Sequence, residues 1–180
     1  MSLLNLENVH SYYGHIHALQ GISITVEEGE IVTLIGANGA GKSTTMQLLS
    51  GVLIPDAGQI EICGINLASN PKQAKACIGY LPENPPLYRD MRVDDYLIYT
   101  AKLHRIPRAK IAEALATAKK QCGLEESGRK LINTLSKGYQ QRVGIAQAII
   151  HQPDIIILDE PTVGLDPMQI RDIRNLIREL

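Results

Sequence analysis

The segment from Gly36 to Thr44 constrains the fold of this chain more than any other feature. It reads GANGAGKST and fits the pattern G-x-x-x-x-G-K-[ST]. An apolar run at residues 31–35 precedes it and a helical pattern at residues 44–50 follows it, so we expect a buried strand, a loop and a helix in that order. Glycines let such a loop curl until its N–H groups and the positive end of the helix face one anion. The segment therefore predicts a phosphate-binding loop.

The residues of this loop are expected to share the work of holding a nucleoside triphosphate. The Lys42 ammonium is expected to reach the β- and γ-phosphates and to act in catalysis, and the Ser43 hydroxyl is expected to bind Mg²⁺. The alternative, a glycine-rich turn that binds nothing, is disfavoured because the complete pattern stands between a strand and a helix. The predicted nucleotide contacts are Gly36, Asn38, Gly39, Ala40, Gly41, Lys42, Ser43 and Thr44.

A second motif, near the C-terminal end, is acidic. Residues 155–158 read IIIL and predict a buried strand, and Asp159 and Glu160 follow directly. In sheets that carry a phosphate loop, an Asp at such a strand end lies beside the loop and holds Mg²⁺ through water. Glu160 is a candidate catalytic residue, because a carboxylate there accepts a proton from an attacking water or orients it. Alone, the motif would indicate only an acidic turn; with the loop upstream, it predicts a metal and catalytic site.

Strand and helix patterns alternate at both ends of the chain and leave an all-helical middle. Residues 3–9 and 22–26 alternate apolar and polar side chains and predict strands, with a turn at residues 10–14. Residues 85–150 predict helices only. We therefore expect an α/β fold with a parallel-sheet core and a helical insertion. Helices are expected to begin at Pro71, Ser136 and Asp166.

Charge and apolar runs limit the partners that this chain can have. The net charge of −1 gives no electrostatic reason to expect a nucleic-acid partner. The apolar run at residues 155–158 is far too short to span a bilayer. A role at a membrane would therefore need other chains to do the spanning.

Residues 135–142, LSKGYQQR, resemble the signature loop LSGGQ of the ATP-binding-cassette (ABC) ATPases. Ser136 and Gly138 keep the letters of that family, whereas Lys137 and Tyr139 replace a Gly and the Gln. The order of motifs is also similar to the family's: phosphate loop, glutamine loop, signature, Asp-Glu strand and a D-loop, here GLDP. The resemblance covers essentially the whole chain. It implies a P-loop NTPase with a RecA-like core, N-terminal antiparallel β-strands and an inserted α-helical subdomain.

The resemblance also implies how the chain is divided. It places the RecA-like core at residues 1–84 and 151–180, and the helical subdomain that carries the signature at residues 85–150. The sequence ends within an apolar helical pattern without a Gly or Pro to stop it, so we expect a C-terminally truncated cassette. In the family the switch histidine lies on a later strand, a place that none of the five histidines here occupies.

Several residues acquire roles only through the resemblance. Tyr13 is similar to the aromatic residue that stacks on adenine in the family, and Tyr12 is the competing candidate. Glu83 stands where the glutamine loop usually has Gln and is expected near the metal, where it accepts hydrogen bonds but cannot donate them as an amide does. Ser136 and Gly138 are expected to contact ATP held by another copy's phosphate loop.

The resemblance implies partners and a mechanism as well. Two such domains, a second copy or a paralogue, are expected to pair head to tail around two ATP molecules with Mg²⁺. Hydrolysis would open the pair and move integral membrane permease subunits, with the ATPase peripheral on the cytoplasmic face of the cell membrane.

Similarity of parts of the sequence to particular groups of ABC ATPases indicates the direction of transport, and single residues indicate the alternative functions. The N-terminal third resembles ATPases of branched-chain amino-acid importers, and the remainder resembles exporter-type ATPases of the gliding-motility and multidrug kinds, so we expect export. A cassette that binds nucleotide without hydrolysing it, as a regulatory partner, is the alternative that Glu83, Tyr139 and the missing switch histidine favour. A soluble cassette ATPase of DNA repair or translation is disfavoured, because neither a long coiled-coil insertion nor a duplicated cassette is present.

Overall fold

A computed structural model describes residues 2–37 and 39–180 of the chain. The chain divides into two compact units, Met1–Ile78 and Gly79–Leu180. Each unit has its own sheet and its own helices. Every helix among the described residues is too short or too polar to traverse a bilayer.

The first unit is built on an antiparallel sheet. Its four strands are hydrogen-bonded in the order β2-β1-β3-β4. In the centre Leu6 of β1 faces Ile24 of β2 on one side and Ile60 of β3 on the other. Leu6, Ile60 and Ile62 are buried, so one face of this sheet forms the core of the unit. The strands are β1 (Ser2–Tyr13), β2 (Ile16–Glu27), β3 (Ala57–Ile62) and β4 (Ile65–Asn66).

The turn predicted at residues 10–14 is shorter than expected. Strand β1 continues to Tyr13, which pairs with Ile16 across the hairpin, and Tyr12 pairs with His17. Gly14, with φ of +60°, supplies the left-handed residue that the tight turn needs. The cross-strand aromatic pair extends the ladder where polar side chains predicted a loop.

The prediction of a strand at residues 31–35 is wrong. The structure assigns no strand there, and Ile31 and Ile35 are 70% and 92% exposed. A strand is stable only when its backbone pairs with a neighbour, and none of the described strands pairs with this segment. Apolar composition predicted burial, but it does not supply a pairing partner.

The two helices of the first unit lie where their sequences predict them, with α1 displaced by one to two residues. Helix α1 (Lys42–Leu49) begins within the Gly36–Thr44 segment, two residues before the predicted residue 44, and its N-cap Gly41 is left-handed. Gly51 has a left-handed φ of +67° and lies two residues after the end of α1, where it stops the helix from continuing. Helix α2 (Pro71–Ala76) has Pro at its first position, which confirms the predicted start.

The second unit joins a short two-stranded sheet to a group of helices. Strand β5 (Ile78–Leu81) pairs with β6 (Ile155–Leu158). Two short 3-10 helices, Glu125–Ser127 and Ile132–Thr134, connect the longer ones. The longer helices are α3 (Val93–Leu103), α4 (Arg108–Cys122), α5 (Lys137–Ile149) and α6 (Pro167–Glu179).

The core of the second unit is mainly aliphatic, and the buried ring of Tyr96 is part of it. Helix α5 lies at its centre, with Val143, Ile145 and Ala146 fully buried. Helix α6 contributes Ile173 and Leu176 from its apolar stripe. The signature segment therefore begins the most deeply buried helix of this unit, which fixes the position of the residues at its start.

One partly buried ion pair ties α3 to α4. Lys119 Nζ lies 2.7 Å from Asp94 Oδ1, and a methyl group on Gly128 would collide with both side chains. We expect Lys119→Met to lower the free energy of unfolding by about 1–2 kcal/mol, because it leaves a partly buried carboxylate without its charged partner. Chemical denaturation followed by circular dichroism measures this. Lys120→Met, at the exposed neighbouring residue, is the control. If Lys119→Met and Lys120→Met lowered the free energy of unfolding equally, the assignment of a stabilising ion pair to Lys119 would be wrong.

Candidate nucleotide-binding site

The predicted phosphate loop is tightly folded in the first unit. A methyl group on Gly36 would lie 2.9 Å from Ala40 Cβ. Gly41 has φ of +83°, and a methyl group there would lie 2.6 Å from Leu19 Cδ2 and 3.2 Å from the Ala18 carbonyl oxygen of β2. The 2.9 Å contact at Gly36 is closer than real Cβ atoms adopt, and the positive φ of Gly41 strains any residue with a side chain, so both positions favour glycine. The loop thus lies against β2 and leaves its own backbone exposed.

Lys42 holds the centre of the loop. Its ammonium donates hydrogen bonds to the carbonyl oxygens of Gly36 at 2.6 Å and Ala37 at 3.1 Å. These carbonyls keep the positive charge inside the curl of the loop. A phosphate arriving there meets a cation that is already in place, as phosphate binding requires.

The other predicted residues of the loop surround this cation. Ser43 is exposed at the start of α1, and its hydroxyl makes no hydrogen bond with any described residue. Thr44 is half-buried beside it, and Gly39 is exposed. Asn38 lies outside the described residues. The Ser43 hydroxyl is therefore available to a ligand.

The two tyrosines that compete for the base-stacking role have different surroundings. The Tyr12 ring stacks on His17 with centroids 4.1 Å apart, and the Tyr12 N–H donates to Asp56 Oδ2 at 2.7 Å. His17 in turn receives or donates a 3.0 Å hydrogen bond with His10. Tyr13 is 49% exposed and stacks on no described ring. These contacts favour Tyr13 as the residue with a free face for a flat ligand.

Asp159 stands at the C-terminal end of β6 in the second unit. It is 7% exposed, and its N–H donates to the Leu81 carbonyl at 2.9 Å, so the ends of β5 and β6 meet. Burial raises the pKa of Tyr80, and the negative charge of Asp159 raises that pKa further. A buried carboxylate is thus held at this strand end, where the sequence predicts a metal ligand.

Glu83 follows the neighbouring strand end. It is exposed in a bend two residues after β5, whereas Asp159 follows β6 directly. Strands β5 and β6 are hydrogen-bonded neighbours whose C-terminal ends meet, so both acidic residues follow the same end of the small sheet. The arrangement offers oxygen ligands of the kind that Mg²⁺ prefers.

Glu160 has an unusual backbone conformation. Its φ is +49°, in the left-handed region that non-glycine residues rarely adopt, and its carboxylate is exposed. The Glu160 carbonyl accepts a hydrogen bond from the Val163 N–H at 3.1 Å, which turns the chain away from β6. Such strain costs about 1–3 kcal/mol and concentrates at functional sites. The sequence had singled out Glu160, but not this conformation.

Ser136 and Gly138 define the start of α5. The Ser136 side chain accepts from the Tyr139 N–H at 3.4 Å, which confirms its predicted place as N-cap. A methyl group on Gly138 would lie 2.9 Å from Gln169 Cδ, so the first turns of α5 and α6 pack together. Asp166 caps α6 by accepting from the N–H groups of Met168 and Gln169. The packing explains Gly138 without a ligand, and its ligand role stays a prediction.

The sequence analysis missed Arg142, which holds the signature helix in place. Arg142 Nη1 donates to the Cys122 carbonyl at 2.9 Å, and Nη2 lies 3.9 Å from Asp172 Oδ2. Its guanidinium also lies 5.8 Å from the centre of the Tyr139 ring. Burial raises the pKa of the Cys122 thiol to about 12 despite the nearby arginine. An arginine in the second turn of a helix that is otherwise deeply buried was the signal available in the sequence.

Comparison with known protein families decides what this set of motifs belongs to. The family model described as ABC transporter matches residues 19–163, which contain the phosphate loop, the signature turn and Asp159-Glu160. The chain belongs to the ABC transporter family. The resemblance of the sequence to ATP-binding subunits of ABC transporters is thereby confirmed.

Individual relatives agree with this assignment. The bacitracin transport ATP-binding protein BcrA of Bacillus licheniformis is 36% identical over 179 residues, which are 99% of this ABC chain and 58% of that protein. The Nod factor export ATP-binding protein I of Ralstonia nicotianae is 32% identical over 178 residues, 99% of this chain and 56% of that protein. The ABC chain thus spans somewhat less than three fifths of the length of these two curated relatives.

A solved structure confirms the fold of this ABC chain. CbiO1 from Clostridium perfringens, described as part of the ABC transporter complex cbiONQ, is similar with a TM-score of 0.89 and 32% identity. The likeness covers 99% of this chain and 73% of that one. The predicted α/β class, with N-terminal antiparallel strands and a helical part, is therefore correct, although residues 31–35 do not form their strand.

Proposed function

We propose that this ABC chain binds ATP with Mg²⁺ and hydrolyses it to drive a membrane transporter. The observation that carries the proposal is the loop geometry. Lys42 places its ammonium inside the curl of the loop, against the Gly36 and Ala37 carbonyls. A triphosphate has the charge to draw this cation toward itself, and α1 points its positive end at the same place.

The residues present fit a nucleotide and its metal. The positions where a methyl group would collide, Gly36 and Gly41, keep the loop backbone bare for close approach of phosphate. Ser43 in the first unit, and Asp159 and Glu83 in the second, each offer a hydroxyl or carboxylate oxygen of the kind that holds Mg²⁺ directly or through water. The ion supplies positive charge that neutralises the phosphate oxygens during transfer. Tyr13 offers a free ring face to the adenine.

Glu160 and Lys42 have separate tasks in the proposed hydrolysis. Lys42 stabilises the negative charge that develops on the transferring phosphoryl group. Glu160 orients the attacking water and accepts its proton. Its exposed carboxylate, which water can reach, and its strained left-handed backbone support this role.

We further propose that a second copy or a paralogue completes the site. Ser136 is exposed at the positive end of α5, where a γ-phosphate held by another copy's loop can be contacted. Closure of such a head-to-tail pair would depend on ATP, since the phosphate is shared across the interface. The helices α3, α4 and α5 lie within residues 85–150, which we propose act as the subdomain that carries Ser136 and Gly138.

ATP-dependent dimerisation tests the shared site. We expect the Glu160→Gln protein to dimerise when Mg-ATP is added, because ATP is retained and holds the pair closed. Adding Ser136→Ala to that variant should weaken the dimer by about 100-fold or more, since one hydrogen bond to a charged phosphate is lost on each side. Sedimentation analysis with and without Mg-ATP measures both. A Glu160→Gln protein that stays monomeric at saturating ATP would contradict the shared site.

The proposed partner is a set of integral membrane permease subunits, with the ATPase peripheral on the cytoplasmic face of the membrane. The names of two relatives, a bacitracin transport protein and a Nod factor export protein, support an exporter. Copurification from membranes tests this. Recovery with an integral membrane subunit is expected, and recovery with nucleic acid or ribosomes would contradict it. Retention of ATP without turnover in that complex would instead favour the non-hydrolysing regulatory cassette.

A further inference from the structure

Two of the three cysteines, Cys63 and Cys77, are brought together within the first unit. Their Sγ atoms lie within 4.8 Å of each other, although strand β4 and helix α2 separate the two residues in the chain. Both residues are partly exposed to solvent, whereas Cys122 of the second unit is fully buried. The fold therefore makes an accessible pair of thiols from residues that are not neighbours in the sequence.

Cys63 lies in the two-residue turn that joins β3 to β4. The turn is closed by Ile62, which pairs with Ile65 across the hairpin. The backbone φ is +51° at Cys63 and +73° at Gly64, as a type I′ turn requires. Such a turn favours Asn or Gly at its first position, and other side chains are uncommon there. The turn thus fixes the backbone of Cys63 without explaining why a thiol is present.

Cys77 is the C-cap of α2, a helix that packs on the same hairpin. Its N–H donates to the Ala74 carbonyl at 3.1 Å, and its Sγ–H donates to the Gln73 carbonyl at 3.8 Å. Helix α2 contacts both β3 and β4 through a face that includes the fully buried Ala74. Lys75 Nζ also donates to the Gly51 carbonyl at 2.7 Å. These contacts hold α2, and with it the backbone of Cys77, in a fixed place beside the hairpin.

We propose that Cys63 and Cys77 form a dithiol site that peroxide oxidises reversibly to a disulfide. A cysteine sulfur is a single rotatable bond away from the backbone, so the packing of α2 on the hairpin sets the distance between the thiols. Rotation about these two bonds can bring the sulfurs from their present separation to the roughly 2.05 Å of an S–S bond. The proposal goes beyond ATP hydrolysis and does not depend on it.

The oxidation takes two steps and consumes one molecule of hydrogen peroxide. The thiolate of one cysteine attacks a peroxide oxygen, the O–O bond breaks, and the products are a sulfenic acid and, with the thiol's proton, one water. The second thiolate attacks the sulfenic sulfur, so the S–S bond forms, the S–O bond breaks, and the released hydroxide takes the second thiol's proton to give another water. Two electrons pass from the sulfurs to the peroxide. Because the second thiol is already adjacent, its attack outpaces that of another peroxide molecule.

Peptide mapping after oxidation tests the site in the full chain. The folded protein is treated with hydrogen peroxide, the remaining thiols are alkylated, and the digest is analysed by mass spectrometry. We expect two peptides joined through Cys63 and Cys77 with the loss of two hydrogen atoms, and dithiothreitol should separate them again. Cys122 should stay a thiol, because burial raises its pKa to about 12 and keeps peroxide away from it.

Single substitutions provide matched controls for the mapping. In Cys77→Ser the sulfenic acid formed at Cys63 has no neighbouring thiol, so oxygen atoms should be added at Cys63 and no linked peptides should appear. Cys63→Ser should give the corresponding result at Cys77. A disulfide that includes Cys122 would overturn the proposal. So would separate addition of oxygen at Cys63 and Cys77 of the unsubstituted chain without a bond between them.

Thermal unfolding of the reduced and the oxidised chain tests whether the bond fits the native fold. The disulfide closes a loop of about 15 residues and thereby restricts the unfolded chain, so oxidation should raise the midpoint of unfolding by about 5 °C or more. Peroxide-treated Cys77→Ser, which cannot form the bond, should show no such rise. An unchanged or lower midpoint for the disulfide form would mean that native packing keeps the two sulfurs apart, and it would overturn the site.

Discussion

Lys42→Met is expected to weaken Mg-ATP binding by about 100-fold or more, because it removes a charged donor to the phosphates and each such hydrogen bond is worth about 1.5–3 kcal/mol. The native ammonium already lies within the loop, 2.6 Å from the Gly36 carbonyl. Methionine keeps the length of the side chain and removes only the charge and the donors. Isothermal titration with Mg-ATP measures the change.

A second lysine of the same unit provides the control for Lys42→Met. Lys75 Nζ donates to the Gly51 carbonyl at 2.7 Å, which is the same kind of contact at the other end of α1. Lys75→Met should leave the dissociation constant of Mg-ATP unchanged. If the two substitutions weakened binding equally, the loss would come from general destabilisation of the unit, and the assignment of Lys42 would be wrong.

Glu160→Gln is expected to lower kcat for ATP hydrolysis by about 100-fold to 10,000-fold and to leave ATP affinity nearly unchanged. Glutamine has the same shape but cannot accept a proton from water at neutral pH. It also keeps whatever strain the φ of +49° imposes, so a loss of rate reflects chemistry and not backbone geometry. Steady-state turnover and ATP binding on the same preparations separate the two quantities.

An exposed glutamate elsewhere in the second unit serves as control for Glu160→Gln. Glu126 lies in the 3-10 helix Glu125–Ser127 and is exposed. Glu126→Gln should keep the wild-type rate. An equal background rate in the wild-type and Glu160→Gln proteins, with ATP bound to both, would identify the chain as the non-hydrolysing cassette.

Features set by short-range chemistry were predictable from the sequence. The starts of α2, α5 and α6 follow from Pro71, Ser136 and Asp166, because an N-cap or an N-terminal proline acts within three residues of itself. The pattern of the predicted phosphate loop is equally local, since its glycines and lysine all lie within residues 36–42. The fold class followed from the order of such local elements.

Features that depend on distant pairing were not predictable in the same way. Residues 31–35 have the composition of a buried strand, but only a paired neighbour makes a strand, and the pattern contains no information about that neighbour. Strand β1 extends further toward the hairpin turn than expected, because Tyr12 stacks on His17 of the opposite strand. The proximity of Cys63 and Cys77 depends on how α2 packs on the β3–β4 hairpin, and their spacing in the sequence gives no sign of it.

Mixing two inactive variants tests most directly the central claim that each ATP site is built from two chains. One variant is Lys42→Met, which lacks the loop cation, and the other is Ser136→Ala, which lacks the signature hydroxyl. In a mixed head-to-tail dimer one site carries both defects and the other carries none. The ATPase rate of a mixture of differently tagged variants at equal concentration is the measurement.

The expected rate of that mixture is about one quarter of the wild-type rate, since half of the dimers are mixed and each has one intact site. Each variant alone should remain near background. A mixture that stays as inactive as its components, while the tags show that mixed dimers have formed, would contradict a site shared between two copies of this chain.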